Sequence, residues 1–220
     1  MKTFIFAVTV FAVLHSSCHA AGTEKGAAAK PAAPQFTGYT MDKDYFSCAI
    51  PSGWRLEREK ARDEKYKIYE IELIAPVVRS PASASPKSAP KAGLQAAAGS
   101  PTAIYVSYYA KDNADFSGYK DFIERNSANI LGETKNERES YSPVKQIKLN
   151  GRAAFELSRA KLAYLHPESK SGESVKLKEK LYVLPAIDGF YVLHFTASAA
   201  GFQKSLNIFE KVAGSFKGKP

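Results

Sequence analysis

Tyr45-Phe46-Ser47-Cys48-Ala49-Ile50-Pro51-Ser52-Gly53-Trp54 is the stretch from which the fold is read. Phe46, Cys48 and Ile50 alternate with smaller or polar neighbours, the period-two pattern of a half-buried strand. Pro51-Ser52-Gly53 then turns the chain, and the segment from Trp54 onward is expected to pair back. Cys48 is in phase with Phe46 and Ile50, so it reads as a small buried hydrophobe rather than a reactive thiol. Trp54, beside the turn, is expected to bury its ring against the sheet or a helix.

Further strands follow on both sides of this one. In Tyr66 to Ala75, Tyr69, Ile71 and Leu73 share one face and Glu70 and Glu72 the other. Ala103 to Ala110 places Ile104, Val106 and Tyr108 on one side. Asn150-Gly151 stands between Gln146–Leu149 and Arg152–Arg159, the dipeptide whose positive φ angles suit a two-residue hairpin turn. Val175–Leu184 and Phe190–Ala197 flank Pro185–Gly189, which predicts a second hairpin with a longer loop. Phe116, Tyr119, Ile123 and Ile130 recur at helical spacing, with Asp115 as candidate N-cap and Gly132 as candidate C-cap. Phe202, Leu206, Phe209, Ala213 and Phe216 form a second apolar stripe at the end of the chain. Each helix needs a sheet to lie on, so the fold class is α+β: an antiparallel sheet covered by helices.

The same residues carry a resemblance. The strand running into Pro51-Ser52-Gly53-Trp54 resembles the opening of PsbP-like domains, a grouping that includes the photosystem II extrinsic subunit PsbP, the yeast Mog-type Ran-binding protein and bacterial DcrB-type exported proteins. Gly189-Phe190-Tyr191-Val192-Leu193-His194-Phe195-Thr196, followed by a helix ending Val212-Ala213-Gly214-Ser215-Phe216, is similar to the family's last strand, last helix and terminal Ser-Phe. The resemblance covers residues 39–217. It implies an α-β-α sandwich, in a family whose known members bind partners rather than catalyse. Fold analogy alone does not carry function from one member to another.

At the N-terminus, Lys2 precedes an apolar run from Phe4 to Leu14 broken only by Thr9. A positive start, a short apolar core and small residues after it describe a secretory signal, and the run is too short to span a bilayer. Residues 1–20 are therefore expected to direct export, to the periplasm or cell envelope. Cys18-His19-Ala20 permits ordinary cleavage between Ala20 and Ala21. The alternative is lipoprotein processing at Cys18, for which the aliphatic Leu14 stands one place too early. Neither route leaves an intramolecular disulfide, since only Cys48 remains as a free thiol. Residues 21–38, rich in Ala, Lys and Pro, are expected to be a disordered linker to a domain at 39–217. Residues 76–101, of similar composition, are expected to be a disordered surface insertion.

The formal net charge is +9, and Lys2 is the only charged residue of the signal, which leaves +8 on the rest. Such a surface favours anionic neighbours, although the charges are mixed rather than clustered. Catalytic motifs are sparse. Ser-x-x-Lys occurs at Ser117/Lys120, Ser142/Lys145 and Ser158/Lys161, but the elements that accompany it in penicillin-recognising enzymes are missing. His166 and His194 are far apart, and no Cys or His spacing resembles a zinc site. Asp112, Asp115 and Asp121 lack the ligand spacing of a calcium loop. Tyr105, Tyr108, Tyr109, Tyr182 and Tyr191 suggest either a stacking platform or core packing, and packing is the better reading.

The expectation is thus a non-catalytic exported protein without cofactor, acting as a binding or assembly factor for another envelope protein. The alternative is a basic surface module for anionic lipid or cell-wall polymer, with a hydrolase a distant third. Export argues against nucleic acid as partner.

Overall fold

In the computed structural model the described residues are 34–76, 102–165 and 172–220. The export signal with Cys18, Ala20 and Ala21, nearly all of the 76–101 stretch, and His166 lie outside them. The chain runs β1 (Phe36–Thr40), β2 (Phe46–Pro51), β3 (Arg55–Glu57), α1 (Lys60–Tyr66), β4 (Ile68–Ile74), β5 (Ala103–Ala110) and α2 (Tyr119–Ser127). It continues through β6 (Glu139–Tyr141), β7 (Lys145–Leu149), β8 (Arg152–Tyr164), β9 (Ser174–Ala186), β10 (Gly189–Ser198), α3 (Phe202–Ser215) and β11 (Lys217–Gly218).

Eight of these strands form one antiparallel sheet in the order β3-β4-β5-β10-β9-β8, with β6 and β7 both paired to the outer edge of β8. A three-stranded sheet, β1-β2-β11, stands beside it. One face of the large sheet presents Ile71, Leu73, Ile104, Val106, Leu193 and Phe195, and this face is closed by Phe209, Val212 and Ala213 of α3 with Phe46 and Cys48 of β2. The opposite face presents Leu157, Leu181, Val183, Phe190 and Val192, covered by Phe122 of α2. Helices thus lie on both faces of an antiparallel sheet, the α-β-α sandwich of an α+β fold. The alternation in each strand assigns its apolar side chains to these two layers.

Several local expectations hold. Trp54 N–H donates to Pro51 O at 3.2 Å, with Gly53 at φ +82° as such a turn requires. Asn150 and Gly151 take φ of +50° and +81°, as a two-residue hairpin turn needs. Asn150 does more than turn the chain. Its Nδ2 donates to Ala213 O at 2.9 Å and to Phe216 O at 3.0 Å, satisfying carbonyls at the open end of α3. Asn150→Gly keeps the turn geometry and removes both bonds. It should lower stability by about 1 to 2 kcal/mol and the thermal midpoint by roughly 2 to 8 °C; an unchanged midpoint would show that the turn alone is what Asn150 supplies.

Other expectations are corrected. The ordered region starts before residue 39, because Phe36, Thr37 and Gly38 already pair with Pro51, Ile50 and Ala49. It also extends past 217, where Lys219 N–H donates to Tyr191 Oη at 2.9 Å. Trp54 packs on the core only partly buried. The β9–β10 hairpin is tighter than expected, since pairing continues through Ala186 and Gly189 and leaves only Ile187-Asp188 as the turn. α1 has no apolar stripe to announce it. It is held instead by Arg58, whose Nε and Nη2 donate to Asp63 Oδ2 at 3.0 and 2.6 Å, and it ends at Lys67 with φ +57°.

α2 departs most from expectation. It begins at Tyr119 and ends at Ser127, so Asp115 is not its N-cap, Gly132 is not its C-cap, and Ile130 is 100% exposed rather than part of its stripe. Asparagine side chains explain both ends. Asn113 Oδ1 accepts from Asp115 and Phe116 N–H at 3.1 and 2.8 Å, which holds this segment as a turn. Asn129 Oδ1 accepts from Leu131 and Glu133 N–H, both at 2.9 Å, competing with the helix for the same amides.

Candidate functional site

α2 is nine residues long and covers only one end of its sheet face. Beyond it the same face carries Glu70 and Glu72 of β4, Tyr105 and Ser107 of β5, His194 and Thr196 of β10, Glu179 of β9, and Arg159 and Lys161 of β8. The register sets them side by side: Glu72 opposite Tyr105, Tyr105 opposite His194, Thr196 opposite Glu179, and Glu179 opposite Arg159. Strand pairing thus assembles a polar floor from five strands.

At its centre Glu179 is 2% exposed. Arg159 Nε donates to its carboxylate, Lys161 Nζ lies 2.7 Å from Oε1, and His194 Nε2 lies 3.4 Å from Oε2. Burial on its own would raise the Glu179 carboxyl; the neighbouring His194, Arg159 and Lys161 outweigh it and hold the group well below the usual carboxylate range. Arg159 Nη1 also donates to Asn126 Oδ1 of α2 at 2.9 Å, tying the network to the covered end of the face. Toward β4, Tyr105 Oη donates to Glu72 Oε1 at 2.7 Å and Ser107 Oγ to Glu70 Oε2 at 2.6 Å. Burial and this bond to Glu72 push the Tyr105 hydroxyl above its usual range. The Tyr105 and His194 rings stack with centroids 5.4 Å apart.

The floor is concave. A cavity of about 430 Å³ lies over Glu70, Tyr105, Lys161, Glu179, His194 and Thr196. A second, of about 550 Å³, shares Glu70 and extends past Glu72 to Arg58, Asp63 and Asp115. Both are open, unlike an enclosed small-molecule site; the larger is lined mainly by polar surface, whereas the smaller also takes in Leu177 and exposes somewhat more apolar than polar surface. Ser107 and Glu70 have the spacing of a nucleophile and base, but Ser107 is only 2% exposed and its hydroxyl is bonded to Glu70 Oε2 at 2.6 Å.

The structure distributes the other sequence candidates elsewhere. Ser158 and Lys161 are three apart on β8 and so point to opposite faces. Tyr108 and Tyr191 pack in the core with ring centroids 4.9 Å apart, and Tyr182 stacks on Phe209 at 5.3 Å. Tyr105 and Tyr109 face the other way, so the five tyrosines form no common platform. Among the described residues no group of three or more His, Cys, Asp or Glu is placed to hold a metal, Asp112, Asp115 and Asp121 included. Cys48 is buried, and burial pushes its thiol up to about 12. His194 does belong to the floor. Glu179 was legible in principle: it is in phase with Leu177, Leu181 and Val183, which places it on a buried face in spite of the lysines on either side.

No family model and no curated protein matches this chain. Among solved structures it is similar to the cyanobacterial PsbP (CyanoP) of Synechocystis sp. PCC 6803, with 13% identity, coverage of 88% of this chain and 98% of that one, and a TM-score of 0.46. It is similar to LpqN of Mycobacterium tuberculosis, a protein involved in cell envelope biogenesis, with 17% identity, coverage of 84% and 91%, and a TM-score of 0.44. It is also similar to the Ran-binding protein Mog1p of Saccharomyces cerevisiae, with 8% identity, coverage of 84% and 96%, and a TM-score of 0.41. PsbP and Mog1p belong to the grouping that Tyr45–Trp54 resembles. Likeness at these identities carries nothing about activity or partner.

Proposed function

We propose that this chain is an exported, non-catalytic protein of the cell envelope that binds, or helps to assemble, another envelope protein. The observation that carries the reading is the concave floor beyond α2, whose polar side chains are held in place by cross-strand bonds and whose serine, Ser107, is buried beneath Glu70. A floor of this kind supplies preorganised hydrogen-bonding groups for a partner's surface. Within the same reading, residues 1–20 are the export signal, removed between Ala20 and Ala21, with lipidation at Cys18 the alternative. Residues 21–33 are the linker and 76–101 a surface insertion. Among the described residues no helix is long and apolar enough to cross a membrane.

The net charge of +9 favours a second reading, a basic module on anionic lipid or cell-wall polymer. Affinity capture from native membranes at low and high salt separates the two. A discrete protein that survives high salt is expected under the first reading, and capture lost as ionic strength rises is the outcome of the second. Thr196→Trp, which fills the cavity over His194 and Glu179, should abolish the salt-resistant capture. If capture persists unchanged, the floor is not the contact surface.

A further inference from the structure

As sequence, Lys176-Leu177-Lys178-Glu179-Lys180 is a mixed run of charge; in β9 the two-residue period of a strand sorts it. Leu177 and Glu179 turn to the floor, and Lys176, Lys178 and Lys180 to the side where α3 lies. Lys180 Nζ reaches Glu210 of α3 at 2.8 Å, and Lys178 stands opposite Ala197, which packs in the core under α3. Ala199 N–H donates to Lys176 O at 2.7 Å, joining this end of β9 to the turn that starts α3. The helix continues the pattern. Its exposed residues are Gln203, Lys204, Asn207, Lys211 and Gly214, none of them acidic, and its first turn holds no acid to offset the positive pole. Lys217 stands opposite Ser47, out of phase with the buried Phe46 and Cys48, so it points outward from the same layer. The carboxylates that α3 and the strands beneath it carry on this side, Glu156 and Glu210, are both held by Lys180, at 3.2 and 2.8 Å. Asp42 and Asp44 stand with Lys43 in the turn between β1 and β2. Among the described residues Lys176, Lys178, Lys204, Lys211 and Lys217 form no ion pair. On the opposite side of the sheet the acids gather instead: Glu57, Glu59, Asp63, Glu70, Glu72 and Asp115 line the larger cavity with Arg58.

We propose that the outer surface of the α3 layer is an electrostatic contact face for an anionic lipid bilayer, with Lys176, Lys178, Lys204, Lys211 and Lys217 set against its phosphate headgroups. The face lies across the sheet from the floor and leaves the floor open to a protein partner. The proposal rests on the second reading above, to which it gives a surface and an anion. Charge complementarity makes the occupant anionic, and the layout of the charges selects a lipid surface. These five cations are all lysines, compact point charges without the fork by which arginine grips a single phosphate or carboxylate. Arg152, the arginine of this side, is spent on backbone, donating to Gly218 O and Pro185 O at 3.0 Å each. The lysines also extend in two directions. Lys204 and Lys211 share one stripe of α3, about 10 Å apart along its axis, while Lys178 of β9 and Lys217 of β11 belong to separate elements beside it. A chain-like polyanion follows a single track, whereas charges spread over an area match a charged plane. Each lysine near such a plane strengthens association roughly fivefold, and salt screens the effect.

The test is co-sedimentation with vesicles, using the protein as isolated from its host so that every variant carries the same N-terminus. Vesicles of phosphatidylcholine with phosphatidylglycerol are compared with phosphatidylcholine alone and with soluble poly(glycerol phosphate). Association that requires phosphatidylglycerol and falls with salt is expected. Lys204→Gln with Lys211→Gln should lower it about twentyfold, and adding Lys178→Gln about fivefold more. The control pair, Lys120→Gln with Lys148→Gln, removes the same charge from the α2 side and should stay near the native value. Lys120 is on α2, and Lys148 is out of phase with Ile147 and Leu149, which pack on the α3 side. Equal losses in the two pairs would mean that net charge alone attracts the protein, overturning the face while the second reading stands. Binding to the soluble polymer as tight as to the anionic vesicles would overturn lipid as the occupant. Association with neither would remove the second reading and the proposal with it.

Discussion

Replacing Gly189 by alanine should destabilise the protein by about 3 to 5 kcal/mol, from overpacking together with the cost of a positive φ for a side-chain-bearing residue. Gly189 opens β10 at φ +143°. A Cβ built there meets Tyr109 O at 2.0 Å, Tyr109 C at 3.0 Å and Ala110 Cα at 3.1 Å, all of them backbone atoms of β5. The backbone there has little room to yield. Gly189 pairs with Ala110 on one side and Ala186 on the other, the Tyr109 ring stacks on Phe190 at 4.7 Å, and Tyr108 Oη donates to Asp188 O at 2.5 Å. Gly151→Ala is the control. It also sits at positive φ, +81°, but a Cβ there meets nothing within 4 Å, so its loss should stay near the backbone cost of about 1 to 2 kcal/mol. Denaturant unfolding of both variants at equal m value measures the difference. A Gly189→Ala protein as stable as Gly151→Ala would show that β5 moves aside freely.

Glu179→Ala should be comparably severe, at about 3 kcal/mol, the lower end for breaking a buried ion pair. The low end applies because the stranded partners can reach water: the side chains of Arg159 and Lys161 are 18% and 37% exposed, against 2% for Glu179. The loss has a pH signature. The folded protein holds the Glu179 carboxyl below its unfolded value, so the contribution is full above the unfolded carboxylate range of about 4.3 and drains as pH falls toward the lower folded value. Glu179→Gln removes that acid-sensitive part. The stability gap between the native protein and Glu179→Gln should therefore narrow from about pH 6 to about pH 3, as followed by unfolding at each pH. A gap of constant size would mean that the carboxylate charge contributes nothing and only its shape matters.

Both effects arise where strands meet, and they mark the limit of what the chain displays residue by residue. The alternation in Tyr45–Trp54, in the strand with Ile71 and Leu73, and in the strand with Ile104 and Val106 states which side of each strand is buried, because the side-chain period of a strand is two. Asn150-Gly151 states its turn, because positive φ at both positions is a property of those two residues. The four-three spacing of Phe202, Leu206, Phe209 and Ala213 states α3 in the same way. These features depend on neighbours in sequence, so they were open to reading, and with them came the α+β class; the sandwich was implied by the resemblance that Tyr45–Trp54 and the last strand and helix carry.

What depends on neighbours in space was not open to reading. The stripe that runs from Phe116 to Ile130 suggests a longer helix, yet Asn113 and Asn129 divert the amides at its two ends, and α2 stops short. That shortness, not any feature of β4 or β9, is why the end of the sheet face beyond α2 lies uncovered. Glu70 and Glu72 look like an ordinary solvent side of one strand, and Glu179 like one charge in a mixed run. Only the register of five strands brings them to one floor with Tyr105, His194 and Arg159. Periodicity encodes which side of an element turns inward; which part of that side a second element then covers is decided by helix length and strand order, and those belong to the tertiary structure alone.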